Sequence, residues 1–255
     1  MKYHNDYLHE REVFMRSINA LCKTVAITMG VVVVMCNSSS GPTAVTPPPR
    51  NVIFLEGFEG NNLDSAQYTK IYNPRNYGRM SISTKAAHTG KYSLTSDSNN
   101  TGVRKWLDNP IDDSIAGMEF YLKALKAEKI NFFAALTTMG TSAGMLDNGF
   151  YSVLGMGIDK SDSLWYTFQK ADNPQADSDL VQKKFAALQL NTWYKCVVEY
   201  DFTAMKLTYF LNDREIFSKR ASGIKKFDMF ITMRDSLGAP GAKDYFIDDV
   251  TIYKR

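Results

Sequence analysis

The stretch Asn191–Phe217 limits the fold most, because its pattern is satisfied only by sheet. Trp193–Asp201 is rich in aromatic and β-branched residues, which suit a pleated, half-buried surface. Lys206–Leu211 places Leu207, Tyr209 and Leu211 at period two. Between that run and Arg214–Ser218 stands Asn212-Asp213, a pair that tolerates the left-handed backbone of a two-residue hairpin turn. Three strands so joined bury one apolar face, and that face needs a second sheet to cover it.

The rest of the region 51–255 repeats the theme. Short runs at Val52–Leu55, Tyr92–Thr95, Gly102–Lys105, Gly117–Ala124, Ile130–Thr138, Gly149–Ile158, Leu164–Phe168, Lys226–Arg234 and Asp244–Tyr253 are separated by Gly, Asn, Asp and Ser. This spacing predicts an all-β sandwich. In Gly117–Lys123 the residues Met118, Phe120 and Leu122 should face the core, with Glu119, Tyr121 and Lys123 on the wet side. Phe132–Leu136 is apolar on both faces, as a central strand is. One helical turn is allowed at Ala124–Lys129. Aromatic residues make up 13% of the chain, which again favours strands.

Residues 1–50 read differently. Val25–Met35 is an uncharged apolar run preceded by Arg16 and Lys23, the length of a signal-peptide core and short for a membrane span. Met15 followed by Arg16 offers an alternative start. Cys36 closes the run, and a Ser/Pro/Thr tether fills residues 37–50. An apolar run ending in cysteine before a polar linker resembles a bacterial lipoprotein signal. The resemblance implies lipidation at Cys36, an exported domain in the cell envelope, and attachment to a membrane through the lipid. Ordinary secretion and an uncleaved anchor are the alternatives.

Charge and cysteine exclude several classes. Residues 1–36 carry four of the 30 basic residues and three of the 27 acidic ones, leaving 26 against 24. Such a balance gives no nucleic-acid footprint. Only Cys196 lies beyond the leader, so the domain forms no internal disulfide, and the expected use of Cys196 is as a small core side chain.

Three motifs point to a family. Phe54–Asp64 resembles the opening of concanavalin A-like lectin/glucanase domains. Thr192-Trp193-Tyr194 followed by Tyr209–Asp213 resembles the hairpin of their laminin G-like version, with Asp213 in place of the usual Gly. Phe246–Tyr253 resembles the closing strand. The resemblance implies a two-sheet antiparallel jelly roll with first and last strands adjacent, and it implies a core position for Trp193. It also implies a structural Ca2+ where those strands meet, which would need oxygen ligands; Glu56, Glu59 and Asp248 are the candidates, with Gly57 replacing an acid common in the hydrolases.

Retaining glycoside cleavage needs two carboxyls about 5 Å apart. No E-x-D-x-x-E or E-x-D-x-E run is present; Glu119 has no acid two or four residues away, and Glu199 has only Asp201, a pair expected at an exposed strand end. Lyases on this fold use a Tyr base with Arg, Lys or His, for which Tyr121, Lys123, Arg104 and His88 are available. Sugar recognition needs flat aromatic faces and planar polar groups. Trp106, Trp165 and Tyr166 are candidate contacts, with packing as the competing use, and Glu119, Tyr121 and Lys123 are a candidate cleft wall. Tyr72 and Tyr77 sit in a polar loop. The sequence therefore predicts a glycan-binding or surface-interaction module without its own catalysis. A divergent lyase or hydrolase and a structural protein binding a protein partner remain the alternatives.

Overall fold

A computed structural model describes residues 49–60, 63, 69–72, 80–96, 101–127, 131–139, 150–169, 181–235 and 244–255. Cys36, the tether before residue 49, and Tyr77 lie outside them, as does the side chain of Tyr72. The strands are β1 (Asn51–Glu56), β2 (Thr69–Tyr72), β3 (Met80–Ser83), β4 (Ser93–Ser96), β5 (Thr101–Ile111), β6 (Ile115–Ala124), β7 (Asn131–Met139) and β8 (Phe150–Ile158). There follow β9 (Ser163–Gln169), β10 (Val181–Ala187), β11 (Tyr194–Asp201), β12 (Lys206–Leu211), β13 (Arg214–Arg220), β14 (Phe227–Asp235) and β15 (Tyr245–Lys254). No helix occurs among the described residues. Residues 125–127, where a helical turn was allowed, are non-helical.

Two antiparallel sheets result. One runs β13-β12-β11-β6-β15-β4-β3, with β1 also paired to β15; the other runs β10-β9-β8-β7-β14-β5-β2. The first and last strands are therefore neighbours, with Leu55 opposite Thr251. The central hairpin turns at Asn212 and Asp213, both with positive φ (49° and 65°), the backbone that a two-residue turn matching the strand twist requires.

Alternation decides what each strand gives to the core. Met118, Phe120 and Leu122 of β6 are fully buried, whereas Glu119, Tyr121 and Lys123 are half-buried on the outer face. Opposite them, Phe132, Ala134 and Leu136 of the central strand β7 enter the same core. Cys196 joins them, and burial pushes its thiol up. The sheets are also tied by hydrogen bonding: the buried Tyr209 hydroxyl on β12 donates to the Thr167 carbonyl on β9 at 2.6 Å. This pairing removes the cost of an unsatisfied phenol in the core.

Gly157 on β8 stands where β7 passes closest. A Cβ there would land on the Phe132 carbonyl oxygen and the Phe133 Cβ. Gly157→Ala is therefore expected to destabilise the domain by about 1–3 kcal/mol through forced backbone movement. Thermal denaturation should show Tm lower by about 2–12 °C, given the 2–4 °C per kcal/mol typical of this size.

Candidate functional site

The candidate ligand residues fall on the two opposite sheets. Trp106 (β5), Trp165 and Tyr166 (β9) belong to the seven-stranded sheet, and Glu119, Tyr121 and Lys123 (β6) to the other. Within β9, alternation separates neighbours. Tyr166 turns inward, with its ring stacked against Tyr209 (4.8 Å) and Phe217 (4.6 Å) between the sheets. Trp165 turns outward and meets Phe133 of β7 edge-on at 5.5 Å.

The outer face of the seven-stranded sheet is aromatic and apolar at one end and open at the other. At β9–β7, Trp165 is 6% exposed and Thr167 3% exposed. The Trp165 Nε1 and the Thr167 Oγ1 are both buried and have no hydrogen-bond partner. At β5, Trp106 is 44% exposed with the Arg104 guanidinium 5.7 Å from its ring centre. The Trp165 row aligns with Met233 and the Trp106 row with Met229. Four strand spacings and four residues along the strands put the two indoles roughly 23 Å apart. They are ends of one face and not a single platform.

Among the described residues, no acid pair stands on that face to cut a glycosidic bond. The outward positions of the central strand are Phe133, Ala135 and Thr137. The spaced pair on β11 is already engaged: Glu199 accepts from the Tyr253 hydroxyl (2.6 Å) and from Arg255 (2.7 Å). Asp201 accepts from the Ala204 amide at 2.8 Å. Glu199 is buried, 7% exposed, where a solvated strand end was expected. The cause is Tyr253, whose ring lies over Gly117 and reaches the carboxylate.

On the eight-stranded sheet, β6 presents a polar and aromatic patch. Glu119 pairs with Arg50 (2.7 Å) and Lys195 (3.4 Å). His88 stacks on Tyr121 with ring centres 3.5 Å apart, and its Nδ1 lies 2.6 Å from Asp249 Oδ2. Trp193 meets His88 edge-on at 5.6 Å, and the Lys123 ammonium lies 5.6 Å from the Trp193 ring centre. Trp193 is half-buried on the outer face, contrary to the core position expected for it. Tyr194 and Cys196 take the inward positions, so strand alternation turns Trp193 and Lys195 outward. Parity with Cys196 would have located it. His88, Tyr121 and Lys123 come together as the lyase reading requires, but Arg104 is on the other sheet. Burial, then the neighbouring Glu119, pushes the Tyr121 phenol up, which disfavours it as a base.

The three candidate calcium ligands reach one corner but serve a loop. Glu56 accepts from the Phe58 amide (2.5 Å), and Glu59 from the amides of Lys91 (3.0 and 3.1 Å) and Tyr92 (3.0 Å). Asp248, wholly buried, accepts from the amides of His88 (2.7 Å) and Asp249 (2.8 Å). Burial pushes its carboxyl up to about 6 against the pull of those amides. Thr89 donates to Asp249 at 2.6 Å, and Lys85 pairs with Asp244. No group of three or more His, Cys, Asp or Glu among the described residues is arranged to hold a metal ion. Backbone amide dipoles supply these three carboxylates with the positive charge that a cation would bring, so the residues present do not fit calcium.

Two measurements check this clamp. Glu59→Ala should lower stability by about 1 kcal/mol and speed hydrogen exchange at the Lys91 and Tyr92 amides. Calcium or EDTA should leave the wild-type Tm unmoved, whereas a cation at 100 times its Kd would add about 2.7 kcal/mol.

No protein-family model and no curated protein sequence matches the chain. Solved structures do match. The globular domain of T. cruzi calreticulin superimposes with a TM-score of 0.59 at 11% identity, over 80% of this chain and 89% of that one. The Pyrococcus furiosus endo-β-1,3-glucanase gives 0.51 at 11%, over 80% and 94%. The Emp47p carbohydrate recognition domain gives 0.50 at 11%, over 76% and 99%. At such identities the likeness speaks for the fold alone: the domain is a concanavalin A-like jelly roll, an architecture shared by lectins and glycoside hydrolases.

Proposed function

We propose that the protein is an exported, lipid-anchored carbohydrate-binding module without catalysis of its own, with the outer face of the seven-stranded sheet as its glycan site. The supporting observation is Trp165, an aromatic ring turned away from the core with a buried N–H that has no partner, beside the equally unpartnered Thr167 hydroxyl. Buried polar groups are normally paired; both atoms are closed to solvent, so a sugar hydroxyl would satisfy them once side chains shifted to open them, its C–H surface then meeting the rings of Trp165 and Phe133. Toward β5, Arg104 and Trp106 extend the face over a span suited to an oligosaccharide. The sequence holds no E-x-D-x-x-E or E-x-D-x-E run, which favours binding over hydrolysis. The apolar run, Cys36 and the Ser/Pro/Thr tether support export and anchoring. The lyase reading draws on the meeting of Tyr121, His88 and Lys123, but the raised Tyr121 phenol weighs against it.

Titration with a panel of polysaccharides should show binding with no new reducing ends and no unsaturated product absorbing near 235 nm; either product would sink the non-catalytic reading. Trp165→Phe keeps the ring and removes the N–H, and should weaken neutral-glycan binding about tenfold, the effect of one lost hydrogen bond at a buried site. Unchanged affinity would remove Trp165 from the site. Cys36→Ser should move the full-length protein from the membrane to the aqueous fraction on detergent phase partition.

A further inference from the structure

We propose that the His88–Tyr121–Trp193 aromatic cluster, with Lys123 beside Trp193, is a second ligand site that takes a sugar residue bearing a carboxylate or a sulfate.

Lys123 stands on β6 among charges that are paired. Its neighbours on the same sheet face are neutralised, Arg50 by Glu119 and Lys195 by Glu119 and Asp213. Lys123 has no carboxylate partner among the described residues, and its ammonium lies 5.6 Å from the Trp193 ring centre. The lysine as a whole is half-buried, its stem packed along the sheet. The acids around it are spoken for: Asp249 by His88 and Thr89, Asp248 by two amides, Glu119 and Asp213 by Arg50 and Lys195. An incoming anion meets a cation with no carboxylate partner among the described residues, while the nearby carboxylates are each engaged by hydrogen bonds or ion pairs.

The rings supply the rest. Trp193, Tyr121 and His88 offer surface for the C–H face of a pyranose. With Nδ1 of His88 at Asp249, its other nitrogen has no partner among the described residues and is available to a sugar hydroxyl. The loop carrying His88 is held by Glu59, Asp248 and Asp249, so its position is set before any ligand arrives, which lowers the cost of binding. The site lies on the opposite sheet from Trp165 and is independent of it. That the ligand is a sugar rests on the glycan-binding reading above; that it is anionic does not.

The test uses the full-length protein in detergent, titrated with oligogalacturonate and a carrageenan oligosaccharide, their methyl-esterified and desulfated counterparts, and inorganic sulfate. At least one anionic oligosaccharide should bind, and its neutral counterpart about tenfold more weakly, as loss of a charge-assisted contact entails. Lys123→Met, Trp193→Ala and His88→Gln should each weaken that binding, with Tm near wild type because all three side chains lie outside the core. Trp165→Phe should leave it unchanged while weakening neutral glycans. The proposal is overturned if neither anionic oligosaccharide binds, or if Lys123→Met or charge removal leaves affinity intact. Equal binding of inorganic sulfate, insensitive to Trp193→Ala, would also overturn it, as would loss through Trp165→Phe.

Discussion

The register of β6 between β11 and β15 is the constraint on which the rest of the domain depends. Phe120 opposite Cys196 and Leu122 opposite Tyr194 and Ile247 fix the inward set. The same register then places Glu119, Tyr121 and Lys123 outward beside Lys195 and Trp193. A slip of one residue would exchange the two sets and bury charge. The bulge between Asp248 and Thr251 lets β15 stay in register while projecting Asp249 from the outer face, at a positive φ of 47°. Core, polar layer and loop clamp therefore follow from one pairing.

Much of this was legible in the chain. The turn at Asn212-Asp213, the alternation in β6 and the two-sided apolar strand β7 are local patterns, and each appears where its period places it. The short strands β2, β3 and β10 were not legible, because four to seven residues of mixed polarity carry too little periodicity. Trp193 was misplaced because a motif outweighed parity: its neighbour Tyr194 fills the core, and a strand cannot send both inward. Glu199 likewise reads as a strand-end acid until Tyr253 is seen to cross the sheet above Gly117.

The candidate sites show the same division. Trp165, Tyr121 and Lys123 were visible as residue types on strands, but no sequence pattern separates Trp165 from Tyr166, one out and one in. Nor could it show that an indole N–H ends up buried and unpartnered, since that depends on β7 and β8 as well as β9. The carboxylates Glu59 and Asp248 show the converse. Their types suited calcium, and only the path of the loop at residues 84–92 reveals that backbone amides occupy them. The outer faces are thus chemically unlike: one apolar with orphan donors, the other a layer of matched charges around an aromatic cluster and one unmatched lysine.

On the reading proposed above, glycan binds, uncleaved, on the outer face of the seven-stranded sheet. Hydrogen exchange of the full-length protein, with and without a neutral polysaccharide that binds it, tests this most directly. The account predicts added protection along β7 and β9 around Phe133 and Trp165–Thr167, with the polysaccharide recovered at its original length. Protection confined to the eight-stranded sheet, or a shortened polysaccharide, would contradict it.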